Sequence, residues 1–277
     1  VVPYADIDID SEDSVALGSK GRNFNHEKDL DVAIITLKRI SNFTDFHSLE
    51  IQPDVSVRYV MPGDAIGNPD LLILPGSKNT IEDMQVLQDS GIVDEIRKCA
   101  DEGIRIFGIC GGFQLLGKKI SDPNHVESEL DEIEGLGLLD VETQMQGTKR
   151  TTQVQAEHEG QLLEGYEIHM GETEISDQVS PFSRIVLQNG EKTSRYDGAV
   201  SPDKRIQGTY LHGVFDNSQW TRDYLNQFRM EKGLEPITEQ TIDLKEFKDL
   251  QYDKLAAVIR DAVDMNKIYQ IMNGEDL

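Results

Sequence analysis

Residues 105–117 read RIFGICGGFQLLG, and Cys110 is the residue in the chain best placed for nucleophilic chemistry. An apolar run ends at Cys110, glycines stand at Gly108, Gly111 and Gly112, and Phe113, Leu115 and Leu116 resume the apolar pattern with a new period. A strand that turns sharply into a helix forces its corner residue into a strained backbone, and its neighbours must then be small. This is the logic of the G-x-S-x-G nucleophile elbow, with sulfur in place of oxygen. Such a corner lifts the cysteine above a helix start, where free N–H groups favour a thiolate. It also aims the backbone N–H of Gly111 at a developing oxyanion. The competing explanation is a small cysteine packed among glycines. That explanation fits Cys99 in IRKCADEG better than it fits Cys110.

A thiol nucleophile needs a proton shuttle, and histidine suits neutral pH. Of six histidines, His26 and His47 lie in loop-like stretches, His125 in a polar one, and His158 at the end of AEHEG. His169 in YEIHMGE and His212 in QGTYLHGVFDN are the stronger candidates. His212 follows a short strand and precedes a glycine, which exposes a ring at a strand end. The loop ILPGSKNTIED (73–83) adds a third piece. Gly76 allows close backbone approach, Asn79 or Thr80 can cap the next helix, and Asp83 fits a capping box. A strand–Gly–helix start of this kind presents N–H groups that can complete an oxyanion hole.

The elements that must carry these residues follow from periodicity. VAIITL (32–37), VSVRYV (55–60), LLILP (71–75) and IRIFGIC (104–110) are short β-branched runs, with helix-length stretches over 79–90 and 91–102. This alternation predicts an α/β fold with a mostly parallel sheet covered by helices. The second half reads as antiparallel strands at 138–143, 152–158, 165–170, 184–188, 197–201 and 206–212, separated by turns at Gly147, Gly160 and Asn189-Gly190. Beyond Asp216, SQWTRDYLNQFRMEKG and YDKLAAVIRDAVDMNKIYQIM carry apolar residues at helical spacing.

The 277 residues are 38% hydrophobic, enough for a substantial core. With 51 acidic and 27 basic residues the net charge is −24, which disfavours phosphate backbones and anionic membranes. Two cysteines make neither a disulfide framework nor a four-cysteine metal site. No run approaches the length of a membrane span, and no signal-peptide pattern occurs, so the expected setting is cytoplasmic, with reduced thiols.

The order PGS, then GICGG, then LHG resembles the class I, triad-type glutamine amidotransferase domain. Within that class it is similar to the glutaminase part of cobyric acid synthases. The narrower likeness rests on VVPYADIDIDSEDSVAL, LKRISNFTDF, DLLILPGSKNTIEDM, GICGGFQLLG, GLGLLDVET, YEIHMGET, DGAVS and GTYLHGVFDN. The resemblance implies a flavodoxin-like fold and glutamine as substrate. Cys110 would attack the amide carbon, and N–H groups at Gly76, Ser77 and Gly111 would hold the oxyanion. His212 would protonate the leaving ammonia and then activate water against a glutamyl thioester. Gln114, Tyr166 and His169 would shape the glutamine pocket. Ammonia would pass to an ATP- and Mg²⁺-dependent synthetase domain that amidates carboxylates of a corrinoid. Sister families act on cobyrinic acid or on a peptidoglycan precursor. A non-catalytic interaction domain is the remaining alternative, against which the intact Cys110, His212 and glycines speak.

Two departures stand out. Many class members carry a glutamate two residues after the histidine, where this chain has Val214. Glu172, Glu174 and Asp216 are then the candidates to orient the ring, and spacing does not choose among them. The phosphate loop G-x-x-x-x-G-K-[ST] of the synthetase domain is absent: GSKG (18–21) and GSKN (76–79) do not fit it. No cofactor is therefore expected on this region. The resemblance implies residues 1–30 as an upstream remnant and linker, 31–217 as the amidotransferase domain and 218–277 as a helical extension.

Overall fold

A computed structural model describes residues 1–9, 21, 23–238 and 242–274. Much of the expected upstream remnant and linker (10–20 and 22) lies outside the described residues, as does most of GSKG. The first half runs β1 (Leu30–Ile35), β2 (Ile40–Ser41), a 3-10 turn (Phe43–Phe46), α1 (His47–Glu50), β3 (Val55–Val60), β4 (Leu71–Leu74), β5 (Gly76–Ser77), α2 (Thr80–Ser90), α3 (Ile92–Asp101), β6 (Arg105–Ile109) and α4 (Gly111–Leu116). The second half adds β7 (Lys119–Ser121), β8 (Glu132–Glu134), β9 (Val141–His158), β10 (Gln161–Ile175), β11 (Ser183–Gln188), β12 (Glu191–Asp197), β13 (Ala199–Val200) and β14 (Ile206–Thr209). The helices α5 (Ser218–Glu231), α6 (Leu244–Ala262) and α7 (Met265–Met272) close the chain.

The central sheet has strand order β13-β14-β6-β4-β1-β3. The five strands from β14 to β3 pair in parallel, and β13 is antiparallel at the edge. The buried strands explain their own sequences: every residue of LDVAII in β1 and of LLIL in β4 is buried, so alternation is lost. Because β6 and β14 are parallel neighbours, residues just past both ends meet at one sheet edge, where ligands of open α/β sheets bind. Cys110 follows β6, and His212 lies just past β14.

The second sheet has order β12-β11-β9-β7-β8, with β10 also paired to β9. Three expected strands, 138–143, 152–158 and 165–170, are in fact parts of the long hairpin β9–β10. Gly147 lies inside β9, where the β9–β10 register shifts between His169 and Gly171. A bulge re-aims side chains without ending a strand, and so reads as a turn in the sequence. β12 was not expected. EKTSRYD is largely solvent-facing, so no apolar alternation marks it. The turn before it is real: Asn189 (φ 50°) and Gly190 (φ 84°) both take the left-handed conformation of a tight hairpin.

α5 packs its Trp220, Tyr224, Leu225 and Phe228 into the buried cluster, with Phe107 of β6 at 6.4 Å from Trp220 and 6.1 Å from Tyr224. Arg222 on α5 donates to both oxygens of Asp54, at 3.0 and 2.9 Å. α6 buries Leu244 and Gln251, and α7 buries none of its residues. The last helical stretch breaks at Val263–Asp264, where Asp264 caps α7 by accepting from the N–H of Lys267. Among the described residues no helix is long and apolar enough to cross a membrane.

α4 rests directly on β4 and β6 because two of its contacts are glycine. A Cβ at Gly112 would strike the carbonyl of Leu74, and one at Gly108 would stand 2.6 Å from the carbonyl oxygen of Gly112. Backbone cannot yield to relieve such a clash. Gly112→Ala is therefore expected to cost at least about 2 kcal/mol in denaturant unfolding. Gly147→Ala, with open space around its Cβ, should stay within about 0.5 kcal/mol of the parent. Equal losses would show that α4 is not seated by this close approach.

Candidate active site

Cys110 has φ 52° and ψ −109°, a conformation that costs a non-glycine residue about 1–3 kcal/mol. Its N–H donates to Thr209 O at 2.8 Å, and its carbonyl accepts from Gln114 N at 3.1 Å. The strained corner is thus pinned by β14 on one side and α4 on the other. The side chain is 6% exposed at the wall of a cleft of about 310 Å³. Its thiol donates to the carbonyl of Ile168 at 3.6 Å. Cys99, in contrast, lies on the buried face of α3, and burial, followed by the charges of Glu102 and Glu95, pushes its thiol up.

His212 is fully buried and held from below. Its Nδ1 donates to Asp45 Oδ2 at 2.7 Å, and the other Asp45 oxygen accepts from Gly213 N at 3.1 Å. That bond fixes the proton on Nδ1 and leaves Nε2 for chemistry. Nε2 is buried without an aligned hydrogen bond, since the Cys110 thiol points to Ile168. Burial opposes the charged ring. The Asp45 charge and hydrogen bond, aided by Cys110, overcome it and raise the His212 pKa to about 10. Tyr166 stacks on the ring at 5.1 Å and 15°, and backbone hydrogen bonds join 166 and 212 in both directions at 3.2 and 2.8 Å. The Tyr166 hydroxyl accepts from Asn42 Nδ2 at 2.6 Å.

The acid on His212 is therefore none of the three that the sequence offered. Glu172 and Glu174 line a different cavity, of about 690 Å³, and Asp216 accepts from Ser48 Oγ at 2.6 Å. Asp45 went unnoticed because it lies 167 positions before the histidine. Its stretch, LKRISNFTDF, was nonetheless among those carrying the family likeness.

A Cβ at Gly111 would stand 2.8 Å from Ser77 N, so the 76–77 loop passes close over the start of α4 beside Cys110. Gly76 backs the histidine: its Cβ would lie 3.3 Å from His212 Cε1. Of Asn79 and Thr80, it is Asn79 that caps α2, its side chain accepting from Glu82 N at 2.9 Å. Asp83 turns inward instead and accepts from Ser77 Oγ at 2.7 Å.

The pocket residues fall in different places. Gln114 lines the cleft, with Oε1 accepting from Thr80 Oγ1 at 2.8 Å and Nε2 donating to the Tyr210 hydroxyl at 3.2 Å. Tyr166 serves the histidine rather than the cleft wall. His169 borders both cavities, stacks on Tyr210 at 3.8 Å, and has its pKa lowered, chiefly by burial. His158 is structural: it stacks on Phe182 at 4.2 Å and bonds the Phe182 carbonyl at 2.5 Å.

Two charges in the cleft were not foreseen. Glu127 accepts from Thr80 N at 3.0 Å, and burial, with Asp122 and Asp83 nearby, pushes its pKa up to about 7. Its loop, read from sequence as merely polar, is ordered by Asp122, which accepts from the N–H groups of Val126, Glu127 and Ser128 at 2.7, 2.8 and 3.0 Å. Lys149, in the bulge of β9, also lines the cleft. Among the described residues no cluster of His, Cys, Asp or Glu is arranged to hold a metal ion.

The profile of the CobB/CobQ-like glutamine amidotransferase domain matches residues 31–220. A cobyric acid synthase of Streptococcus sanguinis (strain SK36) is 66% identical over 276 residues, covering 100% of this chain and 55% of that protein. A cobyric acid synthase of Limosilactobacillus reuteri (strain DSM 20016) is 52% identical, covering 98% of this chain and 54% of that protein. The chain thus spans about half the length of the curated relatives it matches. Among solved structures, PurLQS from Thermotoga maritima aligns with a TM-score of 0.53 at 19% identity, covering 71% of this chain and 99% of that one. A glutamine amidotransferase aligns with a TM-score of 0.52 at 18% identity, covering 73% and 99%. At these identities the structural likeness shows the fold.

The His212 pKa carries a stability consequence. A histidine raised in the folded state contributes stability that is fully present below its unfolded value, near 6.5, and is lost as pH rises through about 10. Asp45→Asn should lower the melting temperature most near pH 6, and the gap from the parent should close as pH approaches 10. A gap that stays constant across this window would show that the Asp45–His212 pair is not its source.

Proposed function

The chain belongs to the CobB/CobQ-like glutamine amidotransferase domain family, and we propose that it is the glutaminase half of a cobyric acid synthase. The observation that carries the chemistry is a strained, cleft-lining Cys110 beside a buried His212 fixed by Asp45. Glutamine enters the cleft with its carboxamide at Cys110. Its α-ammonium matches the Glu127 carboxylate, and its α-carboxylate matches Lys149. A group tuned to about 7 ionises fully when a cationic substrate arrives, which favours a free amino acid over a peptide side chain.

Nε2 of His212 takes the Cys110 thiol proton as the sulfur attacks the amide carbon, and the oxyanion is held by the amides of Gly111 and Ser77. With its pKa raised to about 10, His212 holds that proton at neutral pH and gives it to the departing amine, releasing ammonia. The neutral ring then takes a proton from the water that opens the glutamyl thioester and returns it to the leaving sulfur, yielding glutamate and restoring the thiol. Asp45 holds the ring's tautomer throughout and stabilises the imidazolium.

The partner in this reading is the other half of the synthase, an ATP- and Mg²⁺-dependent synthetase domain that consumes the ammonia to amidate corrin-ring carboxylates. On this reading residues 31–217 are the amidotransferase unit, with 218–277 a helical extension whose first helix packs against it, and the N-terminal stretch leads from the synthetase. A cytoplasmic setting follows from that chemistry, since ATP and reduced thiols are both required.

Cys110→Ser in the full-length synthase should abolish glutamine-dependent amidation while added ammonia still supports it. Loss of the ammonia-dependent reaction as well would show that the site lies elsewhere. Glu127→Gln should raise KM for glutamine about tenfold or more with kcat changed less than about threefold, the pattern of lost uniform binding. Steady-state kinetics with an unaltered KM would remove Glu127 from substrate recognition.

A further inference from the structure

Asp83 is 1% exposed and sits in the first turn of α2, yet it does not serve that helix, which Asn79 already caps. Its carboxylate instead joins two other segments. It accepts from Ser77 Oγ at 2.7 Å, and both its oxygens face the N–H of Arg39, at 3.2 and 3.3 Å. Ser77 Oγ in turn accepts from Asn79 N at 2.9 Å. Arg39 and Ser77 belong to the two arms of the small antiparallel β2–β5 ribbon, in which Ile40 pairs with Ser77 and Ser41 with Gly76. Lys78 N donates to Arg39 O at 2.9 Å and closes it.

Each arm ends in the catalytic machinery. The β5 arm brings Ser77 N against the α-carbon of Gly111, the residue after Cys110. The β2 arm leads to Asn42, which anchors Tyr166 on the His212 ring, and to Asp45 on Nδ1. Gly76, in the β5 arm, leaves no room for drift: its Cβ would meet Ser41 Oγ at 2.9 Å and His212 Cε1 at 3.3 Å. The guanidinium of Arg39 pairs with Glu82. Burial pushes the Asp83 pKa up, so this carboxylate is held at a cost that its hydrogen bonds only partly offset. Such a cost is typical of groups kept for geometry rather than stability.

We propose that Asp83 is a positioning residue that locks the β2–β5 ribbon, and so sets the oxyanion-holding amide of Ser77 and the histidine-holding 42–45 segment in register with Cys110. It touches no substrate. The inference rests on the glutaminase reading above and adds a residue that acts on the transition state through others.

The test is glutamine hydrolysis by the full-length synthase, with ATP and corrinoid present, in Asp83→Asn, Ser77→Ala and the double variant. Asp83→Asn should lower kcat about 10–100-fold with KM for glutamine within about threefold, because an oxyanion contact is realised in the transition state. Ser77→Ala, which removes only the hydroxyl that Asp83 holds, should act in the same direction. The double variant should be no worse than Asp83→Asn alone, since both break one link. Ammonia-dependent amidation should be unchanged. An unaltered kcat in Asp83→Asn, or losses that multiply in the double variant, would overturn the proposal while leaving the glutaminase reading intact. If Asp83→Asn does not fold, Ser77→Ala decides: a parental kcat there overturns the proposal. A parent enzyme with no glutamine-dependent activity would instead sink the glutaminase reading and this inference with it.

Discussion

One contact organises the site: the Asp45 carboxylate against Nδ1 of His212, with its second oxygen on the N–H of Gly213. The acid and the base are 167 residues apart, and neither segment holds its own position. The segment bearing His212 follows β14 and is set by the central sheet, whereas Asp45 rides on a 3-10 turn outside it. A buried ion pair is stabilising only when its geometry is good and its remaining lone pairs are met. Here both carboxylate oxygens are used, and the ring is clamped on its face by Tyr166. The surrounding loops are ordered by that requirement, through Asn42 on Tyr166 and the β2–β5 ribbon on the 76–77 loop.

The two sheets divide the work. The central parallel sheet presents Cys110 and His212 at one edge, because β6 and β14 are neighbours. The second sheet supplies the remaining wall: β10 gives the Ile168 carbonyl that receives the Cys110 thiol, the Tyr166 clamp and the His169 partition. The β9 bulge adds Lys149 to the cleft that Glu127 also lines. The irregular part of the antiparallel sheet is the part that meets the cleft, as expected where bulges re-aim side chains next to a site.

What could be read from the sequence follows from range. The strands of the parallel sheet are buried on both faces, so their apolar runs mark them locally, and the observed β3 at Val55–Val60 matches the run over 55–60. The cysteine corner was equally local: Gly108 and Gly112 record how closely α4 approaches β6 and β4, and Gly111 how closely the 77–80 segment passes. The hairpin of β9 and β10 was broken into pieces because its bulge at 146–149 has the composition of a turn, and β12 was missed because its side chains face solvent. Asp45, Glu127 and Asp83 were the hardest. Each is a single carboxylate in a polar stretch, and what distinguishes it is a partner more than thirty residues away in two cases and a side chain turned from its own helix in the third.

The missing glutamate after His212 has a structural reason. Gly213 takes φ 73°, and this left-handed turn directs the chain into a 3-10 segment whose Val214 is 0% exposed within the apolar cluster. A carboxylate at 214 would be buried in hydrocarbon, with a desolvation cost of several kcal/mol unless it were paired. The same turn frees the N–H of Gly213, and that group binds Asp45. The glycine that turns residue 214 into the core therefore also supplies the second hydrogen bond for an acid arriving from the other end of the chain. The place beside the histidine that sequence spacing gives to position 214 is taken in space by position 45, and the constellation around His212 is defined by its geometry rather than by its order along the chain.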